Sequence, residues 1–210
     1  MERLKISSKN LNLVINKVIK VIKKGGVIVC PTDTVYGLIA DAMNKKAVKK
    51  VFQIKKRTFQ KPIPVFVKNL RMAKSLAVIN KKQEKFLEKF WPGKITAILR
   101  AKEKLPKGIL KNGKIGLRIP NYKLLNILLE KLNFPLTGTS ANISGRPAST
   151  KIKKILNQLE NQKHKPDLIL DAADLKPSLP STVIDAEGFR VLRKGAVSKK
   201  EIFGKMKIWN

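Results

Sequence analysis

The chain has 210 residues, 43% of them apolar, which suits one medium-sized domain with its own core and argues against disorder. Lys and Arg number 46 against 14 acidic residues, a formal charge of +32 that draws in polyanions such as nucleotides and RNA. One cysteine, Cys30, and one histidine, His164, exclude an internal disulfide and a Cys/His metal cluster.

In chain order, Leu11, Val14, Val18 and Ile22 recur at helical spacing behind a cap at Ser7 or Ser8, and Gly25-Gly26 ends that helix. Val27 to Cys30 reads as a short buried strand running into Pro31. Ala47, Val48, Val51 and Phe52 mark a second amphipathic helix that delivers the chain to Lys55-Lys56-Arg57. Ile63 to Val67 reads as a strand that Pro64 assigns to an edge or a bulge. Asn80 with Gln83 forms a capping-box pattern ahead of Phe86 and Phe90. Strands are predicted over Ile95 to Leu99 and Ile115 to Arg118. Asn121 is placed as the cap of a helix carrying Leu124, Leu125, Leu128 and Leu132. A further helix follows Thr150, through Ile152, Ile155, Leu156 and Leu159. Late strands are predicted at 168–170, 182–184 and 190–192, and Ser198 with Glu201 caps a terminal helix. This alternation gives an α/β class and one domain, residues 1–210 with a core of about 8–204. No run of eighteen apolar residues and no signal-peptide core occurs, so a cytoplasmic protein with no membrane partner is expected.

Three segments could carry chemistry. Pro31-Thr32-Asp33-Thr34-Val35-Tyr36-Gly37-Leu38 follows a buried strand, where open α/β sheets bind ligands, although alone it could be an ordinary turn. Lys55, Arg57 and Lys61 set three cations within seven residues ahead of Pro62, a spacing suited to phosphate that a lysine-rich chain also produces by composition. Thr137-Gly138-Thr139-Ser140-Ala141-Asn142-Ile143-Ser144-Gly145 combines hydroxyls, an amide and glycines that let backbone approach an anionic or sugar-bearing ligand. There is no P-loop and no G-x-G-x-x-G. His164 lies in a polar run and reads as solvated surface; Cys30 reads as a small core residue. What remains is chemistry by binding, orientation and positive charge, which is what nucleotidyl transfer demands.

At these residues the sequence resembles the YrdC/TsaC family, the threonylcarbamoyl-AMP synthases. The resemblance runs in order through Gly26 to Leu38, Lys55-x-Arg57 with Lys61-Pro62, and Trp91-Pro92-Gly93-Lys94-Ile95-Thr96. It continues through Gly116-Leu117-Arg118-Ile119-Pro120, Thr139 to Gly145, Ser181 to Asp185, and Leu192-Arg193-Lys194-Gly195-Ala196. It implies a twisted open mixed sheet with flanking helices around a basic concave cavity, in the short form without a C-terminal domain. The implied reaction joins L-threonine, bicarbonate and ATP, with magnesium on the ATP, into threonylcarbamoyl-AMP and pyrophosphate. A threonylcarbamoyl-transferase complex would then modify position 37 of tRNA.

The resemblance also implies roles. Lys55 and Arg57 would be catalytic, and Arg57, Lys61, Ser140, Asn142 and Arg193 would bind ATP. Thr34, Tyr36, Arg118, Thr139 and Ser181 would bind threonine; no metal ligand is implied. Two departures stand out: Lys61 replaces an Asn common in relatives, and Phe66 replaces a His, removing a polar contact to substrate. The alternative is a non-catalytic module for double-stranded RNA or tRNA. With only 6% aromatic residues, it would contact nucleic-acid backbone and shape.

Overall fold

The computed structural model describes residues 1–102 and 105–206. In chain order the strands and helices are β1 (Glu2–Lys5), α1 (Leu11–Lys23), β2 (Ile28–Cys30), β3 (Gly37–Ile39), α2 (Lys45–Lys55), β4 (Val65–Phe66), α3 (Leu70–Leu76), β5 (Ala77–Val78), α4 (Lys81–Glu88) and β6 (Ile95–Ala101). They continue as β7 (Leu110–Lys111), β8 (Lys114–Arg118), α5 (Lys123–Leu132), β9 (Leu136–Thr137), β10 (Thr139–Ser140), α6 (Ile152–Leu159), β11 (Leu168–Asp171), β12 (Thr182–Asp185), β13 (Arg190–Arg193) and α7 (Lys199–Met206).

Two mixed sheets result, where the sequence suggested one. The first has the order β1-β11-β2-β3-β10; the second runs β13-β12-β6-β8-β4-β9, with β5 on β6 and β7 on β8. The segment 136–140 belongs to both. Leu136 and Thr137 pair with β4, Gly138 turns, and Thr139 and Ser140 pair with β3. Thr137 fastens the junction: its hydroxyl donates to the Leu38 carbonyl at 3.0 Å and accepts the Ala40 N–H at 2.9 Å. A Cβ on Gly138 would lie 2.8 Å from the Phe66 ring, so only glycine lets the crossover pass so close to it.

The helices form where the periodicity placed them. Val14, Ile15, Val18 and Ile22 bury one face of α1, which packs with Leu124, Leu125, Leu128 and Leu132 of α5 over the first sheet. Each such side chain removed from water contributes about 1.5–3 kcal/mol. Gly25, at φ +78°, closes α1, its N–H reaching the Ile22 carbonyl. Asn44 caps α2 by accepting the Lys46 and Ala47 N–H groups. The Asn80–Gln83 capping box and the Ser198 cap on Glu201 both form.

Three expectations need correction. Asn121 does not cap α5: Tyr122 holds that position, and the Asn121 N–H is donated to Asp33 at 3.2 Å. The strand expected over 63–67 is ordered as strand only at Val65–Phe66 and is no edge, since β8 and β9 flank it. Pro64 is accommodated just outside, its carbonyl accepting the Gly138 N–H at 2.8 Å. The segment following β2 is not all loop, because Gly37–Ile39 returns antiparallel to β2 as β3. Strands β1, β5, β7, β9 and β10 and helix α3 had no sequence expectation; all are short.

Candidate active site

Between the two sheets lies a cleft of about 830 Å³, counted to its open mouth. The first sheet contributes the turn Thr32–Tyr36 and the strand Thr139–Ser140; the second contributes Phe66, Thr96, Arg118, Ser181 and Arg193. Arg57 reaches it from the turn after α2. That turn is sharp because Lys56 takes the left-handed conformation at φ 49°, ending the helix and swinging Arg57 away from its axis.

The turn between β2 and β3 is self-bonded. Thr32 Oγ1 accepts the Thr34 N–H at 3.0 Å and donates to the Val35 carbonyl at 2.7 Å. Its neighbour Asp33, nearly buried, binds Arg118 Nη2 at 2.6 Å. Arg118 is only 2% exposed. It also donates through Nη1 to Thr34 Oγ1 at 3.2 Å and through Nε to the Gly93 carbonyl at 2.7 Å. Its guanidinium lies 5.5 Å from the centre of the Phe66 ring, within cation–π range. The Trp91-Pro92-Gly93 turn therefore packs Trp91 into the core and also supplies the carbonyl that aims Arg118.

Arg193 arrives on edge strand β13 and donates through Nη2 to the Ser181 carbonyl at 2.7 Å. Ser181 Oγ shares a 2.8 Å hydrogen bond with Thr96 Oγ1. Gly195 makes the approach possible: a Cβ there would fall 2.3 Å from the Pro180 carbonyl oxygen. Arg57 donates to the Lys61 carbonyl at 2.6 Å and to the Pro62 carbonyl at 3.0 Å.

Three guanidinium groups thus converge on one partly desolvated cleft, and Asp33 is the carboxylate paired with one of them. Burial lowers the pKa of Arg57, Arg118 and Arg193, and the charge of Arg193 adds to the lowering at the other two; Asp33 opposes it at Arg118. Guanidinium stays charged nonetheless, so the cleft calls for an anion.

Among the residues selected from sequence, Arg57, Ser140 and Arg193 line the cleft, as do Thr34, Tyr36, Arg118, Thr139 and Ser181. Tyr36 turns its hydroxyl elsewhere, donating to the Ala173 carbonyl at 2.6 Å and accepting the Ala172 N–H at 3.1 Å. Lys55, Lys61 and Asn142 stand outside the lining. The Lys61 side chain is exposed. Lys55 is buried and donates to the carbonyls of Ser140 and Asn142 and to Asn142 Oδ1. Asn142 in turn accepts the Ser140 hydroxyl at 2.5 Å and donates to the Ile143 and Arg146 carbonyls. Asp33 and Thr96 lie in segments the sequence singled out, but neither had a role of its own there, because the segment pattern carries no information about partners distant in the chain.

The model of the Sua5/YciO/YrdC domain, described as "Telomere recombination", matches residues 20–195. The chain belongs to this family. A Methanocaldococcus jannaschii relative, provisionally named as a threonylcarbamoyl-AMP synthase, is 37% identical over 187 residues, covering 86% of this chain and 87% of the relative. The threonylcarbamoyl-AMP synthase of Pyrococcus abyssi is 31% identical over 186 residues, 86% of this chain but 54% of that protein. The crystal structure of P. abyssi Sua5 complexed with L-threonine superposes with a TM-score of 0.86 at 28% identity, covering 97% of this chain and 59% of the other. The chain thus spans little more than half the length of these longer Sua5 relatives, and the Sua5/YciO/YrdC fold, rather than anything outside it, is what they share. No helix among the described residues is long and apolar enough to cross a membrane.

Proposed function

We propose that the chain is an L-threonylcarbamoyladenylate synthase, a nucleotidyltransferase acting on ATP, L-threonine and bicarbonate. The observation that carries the proposal is the convergence of Arg57, Arg118 and Arg193 on a hydroxyl-lined cleft in a chain of this family. The threonine amine and bicarbonate give a carbamate with loss of water. A carbamate oxygen then attacks the α-phosphorus of ATP, the new O–P bond forms as the bond to the β-phosphate bridge breaks, and pyrophosphate leaves. Charge grows on phosphate oxygens during that step, and fixed guanidinium groups stabilise it without reorganising.

Among the described residues Arg57 and Arg193 have no carboxylate partner, and they are assigned to the triphosphate, with Ser140 beside the nucleotide. Arg118, Thr34, Thr139 and Ser181 are assigned to threonine, because a planar fork suits a carboxylate and hydroxyls suit a small polar side chain. Magnesium is assigned to the ATP as its counter-ion, bridging the phosphate charge that the arginines also face. Direct contact with tRNA and delivery of the product to a cytoplasmic threonylcarbamoyl-transferase complex complete the proposal. The lysine-rich exterior is the surface assigned to RNA backbone.

The test is pyrophosphate release from labelled ATP by the pure protein, with and without threonine and bicarbonate. Release that requires both co-substrates supports the assignment. Tight RNA binding with no such release would leave the non-catalytic RNA module in its place.

A further inference from the structure

Lys55 is the cation for which the proposed chemistry has no direct use. It is 1% exposed at the last turn of α2. Its ammonium spends three hydrogens on three oxygens: the Ser140 carbonyl, the Asn142 carbonyl at 2.9 Å and Asn142 Oδ1 at 3.1 Å. Among the described residues no carboxylate pairs with it, and Arg57 is the charged group that acts on it. The main chain of the same residue is also engaged, its carbonyl accepting the Ser144 N–H at 2.7 Å. One residue therefore grips both ends of the segment 140–144, whose first member lines the cleft.

A neutral amine could not hold this arrangement. It has two hydrogens and a lone pair, and the lone pair would face one of the three oxygens. Burial, helped by the nearby charge of Arg57, pushes the Lys55 pKa down to about 7, so the required proton is weakly held while no anion faces Arg57. An anion bound against Arg57 cancels that repulsion and adds attraction.

We propose that Lys55 is a positioning residue, whose ammonium shapes the 140–144 wall of the cleft from behind, and that an anion in the cleft secures the proton this shape requires. The proposal rests on the nucleotide assignment above and deepens it. By linkage, ATP binding takes up a proton near neutral pH, and raising the pH weakens ATP binding.

The experiment is calorimetric titration of ATP, without threonine, into the full chain at pH 8 in buffers of different ionisation enthalpy. A group with pKa about 7 is roughly nine-tenths deprotonated at pH 8, so uptake of a measurable fraction of a proton, at most about 0.9, is expected. In parallel, kcat/KM for ATP is expected to fall by up to about tenfold per pH unit above 7, with kcat at saturating ATP falling less. Lys55→Met should bind ATP more weakly and without the uptake. ATP binding to the wild-type chain with no proton uptake overturns the proposal, as does equal uptake by Lys55→Met. Absence of any ATP binding would overturn the nucleotide assignment and this inference with it.

Discussion

Replacing Asp33 by Asn tests whether Arg118 is held by charge or by packing. The substitution keeps the size of the side chain and one oxygen that can still accept from Arg118 Nη2, now at 2.6 Å. It removes the counter-charge of a guanidinium that is 2% exposed, and half of the carboxylate that accepts the Asn121 N–H. Two unit charges about 4 Å apart interact by about 4 kcal/mol at an effective dielectric near 20, and breaking a buried pair costs about 3–5 kcal/mol. Arg118 keeps the Gly93 carbonyl, Thr34 Oγ1 and the Phe66 ring face, so a loss of about 3 kcal/mol in unfolding free energy is expected. Urea titration followed by circular dichroism measures it. Glu130→Gln is the control: it breaks the 3.3 Å Lys68–Glu130 pair, whose carboxylate is largely exposed, and should cost less than about 1 kcal/mol. Asp33→Asn should also regain stability on adding pyrophosphate, since an anion in the cleft can replace the lost charge. If Asp33→Asn unfolds within about 1 kcal/mol of wild type, the account of Arg118 as a charge-held fork is wrong.

Arg193→Ala should lower kcat/KM for ATP by about 2–4 kcal/mol of transition-state stabilisation, whereas Lys61→Ala, an exposed side chain, should change it less than tenfold; steady-state kinetics compares them. Gly195→Ala would force a Cβ to within 2.3 Å of the Pro180 carbonyl and 2.5 Å of the Ser181–Thr182 peptide. Backbone must yield there, so activity should be lost with Arg193 displaced from Ser181, visible as a broken contact in a crystal structure of the variant. Lys55 also has a pH signature in stability. Its folded pKa of about 7 lies below the ordinary lysine value of 10.5, so between those values the unfolded chain binds more protons and stability rises with pH. Relative to Lys55→Met, wild type should gain about 1.4 kcal/mol per pH unit across that window in denaturant titrations, and a flat difference would contradict the lowered pKa of Lys55.

Much of the architecture was written in local pattern. The helices α1, α2, α4 and α6 follow apolar spacing, and the strands at 28–30, 95–101, 114–118 and 182–185 are apolar runs bounded by turns. What pattern could not supply was pairing. Leu136-Thr137 and Thr139-Ser140 are two-residue strands whose identity depends on β4 and β3, and on Gly138 slipping past Phe66. Nothing within residues 136–140 says that they bridge two sheets. The same holds for Asp33, which is 85 residues from its partner Arg118 and invisible as a counter-ion until the chain is folded. Phe66, noted from sequence as a lost polar contact, gains a different part once folded: its ring flanks the Arg118 guanidinium and walls the crossover.

The division of labour among the cations follows from how their donors are spent. Lys55 gives every hydrogen to the protein and so can act on a ligand only through the backbone it holds. Arg118 is fixed at three of its nitrogens, yet still borders the cleft. Arg57 and Arg193 each anchor part of the guanidinium on backbone carbonyls and leave Nη1 without an acceptor among the described residues. A guanidinium anchored in that way is aimed before the ligand arrives, so little rotamer entropy is lost on binding and little reorganisation is needed as charge develops. Lysines in these two positions would carry the same charge without the fork, and could not be held by a carbonyl and donate sideways in the same fixed plane. For that reason the two arginines, and not the more numerous lysines, set the geometry of the anion in this cleft.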